Sequence, residues 1–318
     1  MSFQASVAAE CSGIVVAAFF YVVMATVGVD YGIPGQVATR AIYGLRGSKV
    51  IPSFLRSIAS CYWFAFQTVI GATAICAVLE KLTGTSFSLI LVSVLFGIVQ
   101  AVVAIVGYDS LKALSRVALP VKLAMFVYLF VLLANQTDPN FAPSAVLSFP
   151  GKSGWNWVIF VAWFNAAAAG WLTMITDSAD FCRYSRSRAD MWIGTLSASA
   201  IGTMISGSLG AYAAAATLGK TANPFVIIAG ISTSWITLFL ILVFIALDNW
   251  TINVLNLYTG GLSISNIFER LGRFWTTLIA SAVGIALSAI PDVLNSYLTY
   301  ATLLGNFFSP IAGVLVFV

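Results

Sequence analysis

The sequence has no histidine, and its four cysteines, Cys11, Cys61, Cys76 and Cys182, lie far apart with no CxxC pair. Zinc sites and histidine proton relays therefore lack their usual ligands, and neither a metal centre, a catalytic residue nor an organic cofactor is expected. Charge is scarce as well. Only 8% of residues are Asp, Glu, Lys or Arg, against about 25% in soluble proteins. With 60% hydrophobic residues and a mean hydropathy of +0.98, a water-soluble fold is excluded. The net charge of +4 matches the excess that membrane proteins carry in their cytoplasmic loops, so no nucleic-acid partner is expected. No basic leader precedes the first apolar run, which argues against a cleaved signal peptide.

What is present is apolar sequence cut to bilayer lengths. Runs of about 20 residues or more, enough to span, fall near residues 8–29, 54–79, 86–107, 114–135, 155–176, 191–218, 234–258, 275–291 and 294–318. The expectation is an all-α polytopic protein of the cell membrane with about nine transmembrane helices, forming a single transmembrane domain over residues 1–318. Turn residues punctuate the runs: Gly32, Pro34 and Gly35 after the first, Pro139 and Pro143 after the fourth, Pro224 before the seventh, Pro291 before the ninth. Alternate connections and flanks hold eleven basic residues (Arg40, Arg46, Lys49, Arg56, Lys112, Arg116, Arg183, Arg186, Arg188, Arg270, Arg273) against three (Lys81, Lys152, Lys220) on the other side. The richer set is assigned to the cytoplasm. That alternation puts residue 1 outside the cell, and the chain stops in the apolar run GVLVFV. A fragment is expected, lacking at least one helix before Met1 and more after Val318.

Polar residues inside the runs are few. The stretch Asn165–Phe181, NAAAAGWLTMITDSADF, passes from alanines through Gly170 and Trp171 to Thr173, Thr176, Asp177, Ser178 and Asp180. Carboxylates at such a place face a cytoplasmic end or a wet cavity, and small residues allow close packing or an unwound helix. Trp63 and Gln67, spaced i and i+4, share one face. Together they make either a platform that stacks and reads a planar heterocycle or ordinary packing with an amide as interhelical glue. Asn249, Asn253 and Asn256 form a stripe at i, i+4 and i+7, with Asp248 and Thr251 on the adjacent face. These groups either bond to neighbouring helices or line a path for a polar solute and a cation. Lys122 reads as a snorkelling structural residue.

Three segments, GLRGSKVIPSFLRSIASCYWFAFQT, GWLTMITDSADFCRY and DNWTINVLNLYTGGL, resemble the nucleobase:cation symporter-1 family of cytosine/purine, uracil, thiamine, allantoin and hydantoin permeases. The first resembles the hydantoin, allantoin and uracil branch more than the cytosine permeases. The resemblance implies a leucine-transporter-like bundle, in which two inverted five-helix repeats enclose a midplane site framed by interrupted first and sixth helices. In that register the chain begins just after the first helix and ends within the tenth, and Asn165–Phe181 is the interrupted sixth. It further implies that Trp63 and Trp171 sandwich the substrate ring, that Gln67 and Asn253 or Asn256 hydrogen-bond its edges, and that Gly170 permits the break. Thr251 is implied to serve the cation, and Asp248 is a candidate for titration, so the coupling ion stands open between H+ and Na+.

The function expected is secondary active transport of a small planar nitrogen heterocycle by alternating access. The alternative is a channel or pore for small polar solutes, which calls for a continuous polar lining rather than a flat aromatic pair. A membrane-embedded enzyme calls for a nucleophile with a base or a metal cluster.

Overall fold

The computed structural model describes residues 1–106 and 108–317. Its helices are α1 Phe3–Tyr31, α2 Gly35–Ser48, α3 Phe54–Thr83, α4 Leu89–Val106, α5 Tyr108–Ala134, α6 Pro143–Ser148, α7 Trp157–Leu172, α8 Ser178–Cys182, α9 Arg188–Ala216, α10 Pro224–Ile231, α11 Trp235–Ile267, α12 Gly272–Ser288 and α13 Tyr297–Phe317. Local chemistry sets their ends. Ser2 Oγ accepts from Ala5 N, Asn156 Oδ1 from Val158 and Ile159 N, and Ser187 Oγ from Asp190 N, each satisfying N–H groups that a first helical turn leaves unpaired. Gly32 ends α1 at φ 67° and Gly84 ends α3 at φ 70°, left-handed conformations that glycine adopts without a Cβ penalty.

Each of the nine apolar runs overlaps one of the longer helices among the described residues; Gly107 and Val318, which close the third and ninth runs, lie outside the described residues. Six segments are long and apolar enough to cross a membrane by length and composition: Phe3–Tyr31, Gly35–Thr83, Lys112–Ala134, Trp157–Cys182, Trp235–Ile267 and Tyr297–Phe317. By that measure the structure supports six of the nine spans. The other three runs fall on α4 and α12, which are shorter, and on α9, whose apolar residues are diluted by Ser, Thr and Gly.

α3 lies at the centre, packed most extensively against α11 and also against α12, α4 and α10, while α1 packs against α7 and α9. A five-residue π-helical segment, Lys49–Ser53, joins α2 to α3 around Pro52. Proline has no N–H to give the helical ladder, and a wider turn absorbs the defect.

The stretch Asn165–Phe181 is interrupted, but not at Gly170. Gly170 stays helical within α7, and α7 ends at Leu172. Thr173 Oγ1 donates to Gly170 O at 2.6 Å, and Met174, at φ −98° and ψ 4°, leads into the 3-10 turn Ile175–Asp177 before α8. The side chain of Thr173 thus bonds one of the last α7 carbonyls where the ladder stops. The α1–α2 joint packs tightly on the far side of this break. A Cβ added at Gly28 would stand 2.7 Å from the Ala179 backbone, and one at Gly35 would collide with the carbonyl oxygen of Thr176.

Two basic residues also differ from expectation. Arg56 is a fully buried residue of α3 rather than a loop or flank charge. Lys122, on α5, is ion-paired with Asp248 of α11 at 2.6 Å. On the arginine-rich side, exposed Glu269 between α11 and α12 pairs with Lys49 at 2.9 Å and Arg40 at 3.3 Å. The hydrogen bond and charge of Lys49, with the charge of Arg40, hold its carboxyl below the usual range.

Candidate functional site

A cavity of about 880 Å³ opens between α1, α3, α7, α9 and α11, within the size range of small-molecule sites. The helices that meet there present Trp63 and Gln67 from α3, Gly170 and Trp171 from α7, and Asn256 from α11. Five of the six residues assigned to substrate from the sequence therefore converge on one wall system, although they come from three distant parts of the chain.

Trp63 is held at both ends. Its indole Nε1 donates to Thr173 Oγ1 at 3.0 Å, while its ring meets Phe66 edge-on at 5.7 Å between centroids and Tyr297 at 6.2 Å. Trp171 is fixed by an edge contact with Tyr21 of α1 at 5.6 Å. Gly170 has only the Trp63 ring near its missing side chain, 3.8 Å from a would-be Cβ. A Cβ there would make ordinary van der Waals contact with that ring. Among the described residues the Gln67 amide has no hydrogen-bond partner, so its donors and acceptor are available to a solute in the cavity.

The asparagine stripe divides. Asn256 reaches the cavity wall, and its Nδ2 donates to Asn253 Oδ1 at 3.4 Å. Asn253 is not on the wall. It has no exposed surface, and its Nδ2 faces Phe64 O at 3.3 Å, Thr68 Oγ1 at 3.0 Å and the Oε1 of Gln100. That amide ties α11 to α3 and α4. Asn249 is buried too and donates to Ile245 O of its own helix at 3.2 Å.

Asp248 and Thr251 also lie away from the cavity. Besides its ion pair with Asp248, Lys122 Nζ donates to Thr251 Oγ1 at 3.3 Å. An ammonium from α5 thus stands against both residues that the sequence assigned to a coupling cation.

Several wall residues carried no assignment. Glu10 of α1 lines the cavity and has no hydrogen-bond or ion partner among the described residues; Gly207 of α9 makes room for it, since a Cβ there would stand 2.8 Å from its carboxylate. The signal for Glu10 was in the sequence, as a carboxylate inside an apolar run. Tyr297 and Met174 also line the cavity, and no sequence pattern marks either of them.

Comparison with known proteins bears on this geometry. The profile of a family described as permeases for cytosine/purines, uracil, thiamine and allantoin matches residues 1–317. The hydantoin permease of Microbacterium maritypicum is 30% identical over 98% of this chain and 64% of its own length. The chain thus spans a little under two thirds of that relative. Among solved structures, a closed form of Mhp1, a nucleobase-cation-symport-1 family transporter with bromovinylhydantoin bound, superposes with a TM-score of 0.84 at 24% identity, covering 99% of this chain and 71% of that one. An inward-facing form of Mhp1 superposes with a TM-score of 0.75 at 26% identity, covering 99% and 70%.

Proposed function

We propose that this chain, which belongs to the permease family for cytosine/purines, uracil, thiamine and allantoin, works as a secondary active transporter. Its substrate is a small planar nitrogen heterocycle of hydantoin, allantoin or nucleobase type, imported across the cell membrane by alternating access of an inverted-repeat bundle. The observation that carries this reading is the convergence of Trp63, Trp171, Gln67 and Asn256 on one cavity beside a helix interruption. Two indoles supply flat apolar faces, and two amides supply donors and acceptors for ring N–H and C=O groups. Such a wall suits binding of a ring more than continuous permeation. An interrupted helix is the element that lets one side of a site close while the other opens.

Coupling is to a cation, H+ or Na+, and the position of Lys122 favours the proton. Asp248 and Thr251 already hold an ammonium, so a sodium ion at that point would face both competition for its ligands and repulsion from Lys122.

The test is uptake of labelled hydantoin, allantoin, uracil and cytosine into proteoliposomes containing the intact protein, with a pH gradient or a sodium gradient imposed separately. Saturable uptake of at least one heterocycle, driven by the pH gradient and indifferent to sodium, is expected. Sodium-driven uptake overturns the proton assignment. Non-saturable flux that ignores both gradients identifies a pore.

A further inference from the structure

Among the described residues Arg56 is the largest side chain with no exposed surface. A guanidinium withdrawn from water costs several kcal/mol unless it is paired and hydrogen-bonded, and its partners come from both sides of the helix interruption. Nε pairs with Asp177 Oδ2 at 2.5 Å, both side chains having zero exposure. Nη1 donates to the Thr173 carbonyl at 3.1 Å, and Nη2 donates to Thr259 Oγ1 of α11 at 3.0 Å. Trp63 stands two turns further along the same face of α3 and donates to the side chain of the same Thr173. One side of α3 therefore holds Thr173 twice, by its hydroxyl from the cavity wall and by its carbonyl from below.

Beneath this point a second tier closes the arginine-rich side. Gly35 N donates to Asp180 Oδ1 at 2.7 Å, Gln36 Nε2 to Thr176 Oγ1 at 3.0 Å, Ser53 Oγ to Gln36 Oε1 at 2.9 Å and Asn266 Nδ2 to Ser53 Oγ at 2.9 Å.

We infer that Arg56 is a positioning residue of the transport cycle, whose pair with Asp177 holds the interrupted helix shut across the arginine-rich end of the cavity and whose release opens that end. Thr173 links the latch to the site, because a ring that displaces Trp63 or Trp171 pulls on the residue that Arg56 grips. Both partners of this pair are fully buried, so parting them without water or another partner would cost several kcal/mol. The inference rests on the transporter reading, and its test does not depend on which solute is carried.

Met174 lines the cavity and lies in the chain between Trp171 and Asp177 of the latch. In the intact protein with its native cysteines changed to alanine, Met174→Cys is labelled by a membrane-impermeant maleimide applied from each side of sealed vesicles in turn. With Arg56 present, labelling from the arginine-rich side is slow. Asp177→Asn, nearly isosteric, and Arg56→Met are expected to raise that rate by about tenfold, the effect of moving the closed-to-open equilibrium by roughly 1.4 kcal/mol. Arg56→Lys is expected to restore most of the protection. Labelling at Ser153→Cys, at the opposite mouth, should stay unchanged. An unchanged Met174→Cys rate in Asp177→Asn overturns the inference, as does an equal rise from both sides, which signals general loosening. If Arg56→Met does not fold, Asp177→Asn alone decides. A one-sided rise in a protein that takes up none of the heterocycles sustains the latch and removes the substrate reading instead.

Discussion

Replacing Trp63 by alanine tests the site most directly, because the structure allows its two roles to be separated. The ring lines the cavity and is bonded at its edge, through Nε1, to Thr173 Oγ1 at 3.0 Å. Loss of a stacking aromatic costs about 1–3 kcal/mol, which corresponds to a roughly 5- to 150-fold weaker Kd. Loss of the edge hydrogen bond costs about 0.5–1.5 kcal/mol of stability and reaches Kd, at most in full, through the pose of the ring that it fixes. Trp63→Phe removes only the second term: a ring remains to stack, and Thr173 keeps its bond to Gly170 O. The expected order is therefore wild type, then Trp63→Phe weaker by up to about tenfold, then Trp63→Ala weaker by as much as two to three orders of magnitude, the sum of both terms. The assay is equilibrium binding of labelled hydantoin or uracil to purified protein, with thermal unfolding of each variant to show that it is folded. Trp63→Ala binding as tightly as wild type would return the indole to packing. Equal losses in Trp63→Phe and Trp63→Ala would show that the edge bond, and not the face, matters to the ligand.

Gln67→Leu should weaken binding by about one to two hydrogen bonds, roughly 1–3 kcal/mol, with an unfolding midpoint close to wild type, because its amide has no partner among the described residues. A lowered midpoint with unchanged Kd would make it interhelical glue. Asn253→Ala should do the opposite. It strands Thr68 and Gln100 at the α3–α4–α11 junction and should cost about 1–3 kcal/mol of stability, read as a lower midpoint in detergent, while the ligand Kd of the folded fraction holds; a selective loss of binding would place Asn253 in the site after all. Gly35→Ala drives a methyl group into the Thr176 carbonyl and should cost about 1–3 kcal/mol, as overpacking does. A wild-type midpoint for that variant would show that the α1–α2 joint is not pressed against the interruption.

The sequence alone determined that the chain is helical and where most helices run, because in hydrocarbon every backbone N–H and C=O must be satisfied locally and apolar length is the dominant signal. It also determined that Trp63 and Gln67 share a face, since i and i+4 spacing decides that without reference to any neighbour. It placed the interruption in the right stretch, though not at its residue: glycine is permissive of a break, but the helix stops at Thr173, where a hydroxyl bonds the end of α7 and a buried guanidinium takes the next carbonyl.

Only the tertiary structure decided which neighbour each polar face meets. Asn253 and Asn256 are on one stripe, yet one turns to Thr68 and Gln100 while the other reaches the cavity, and helical spacing is blind to that difference. Arg56 reads as an inside-positive flank residue because a charge in an apolar stretch is costed as if unpaired. Its cost is met by Asp177, which is remote in sequence and comes within reach only when the helix breaks between Leu172 and Ser178. Thr251, implied to serve a cation, and Asp248, a candidate for titration, follow the same rule: only packing of α5 against α11 shows that the Lys122 ammonium meets both.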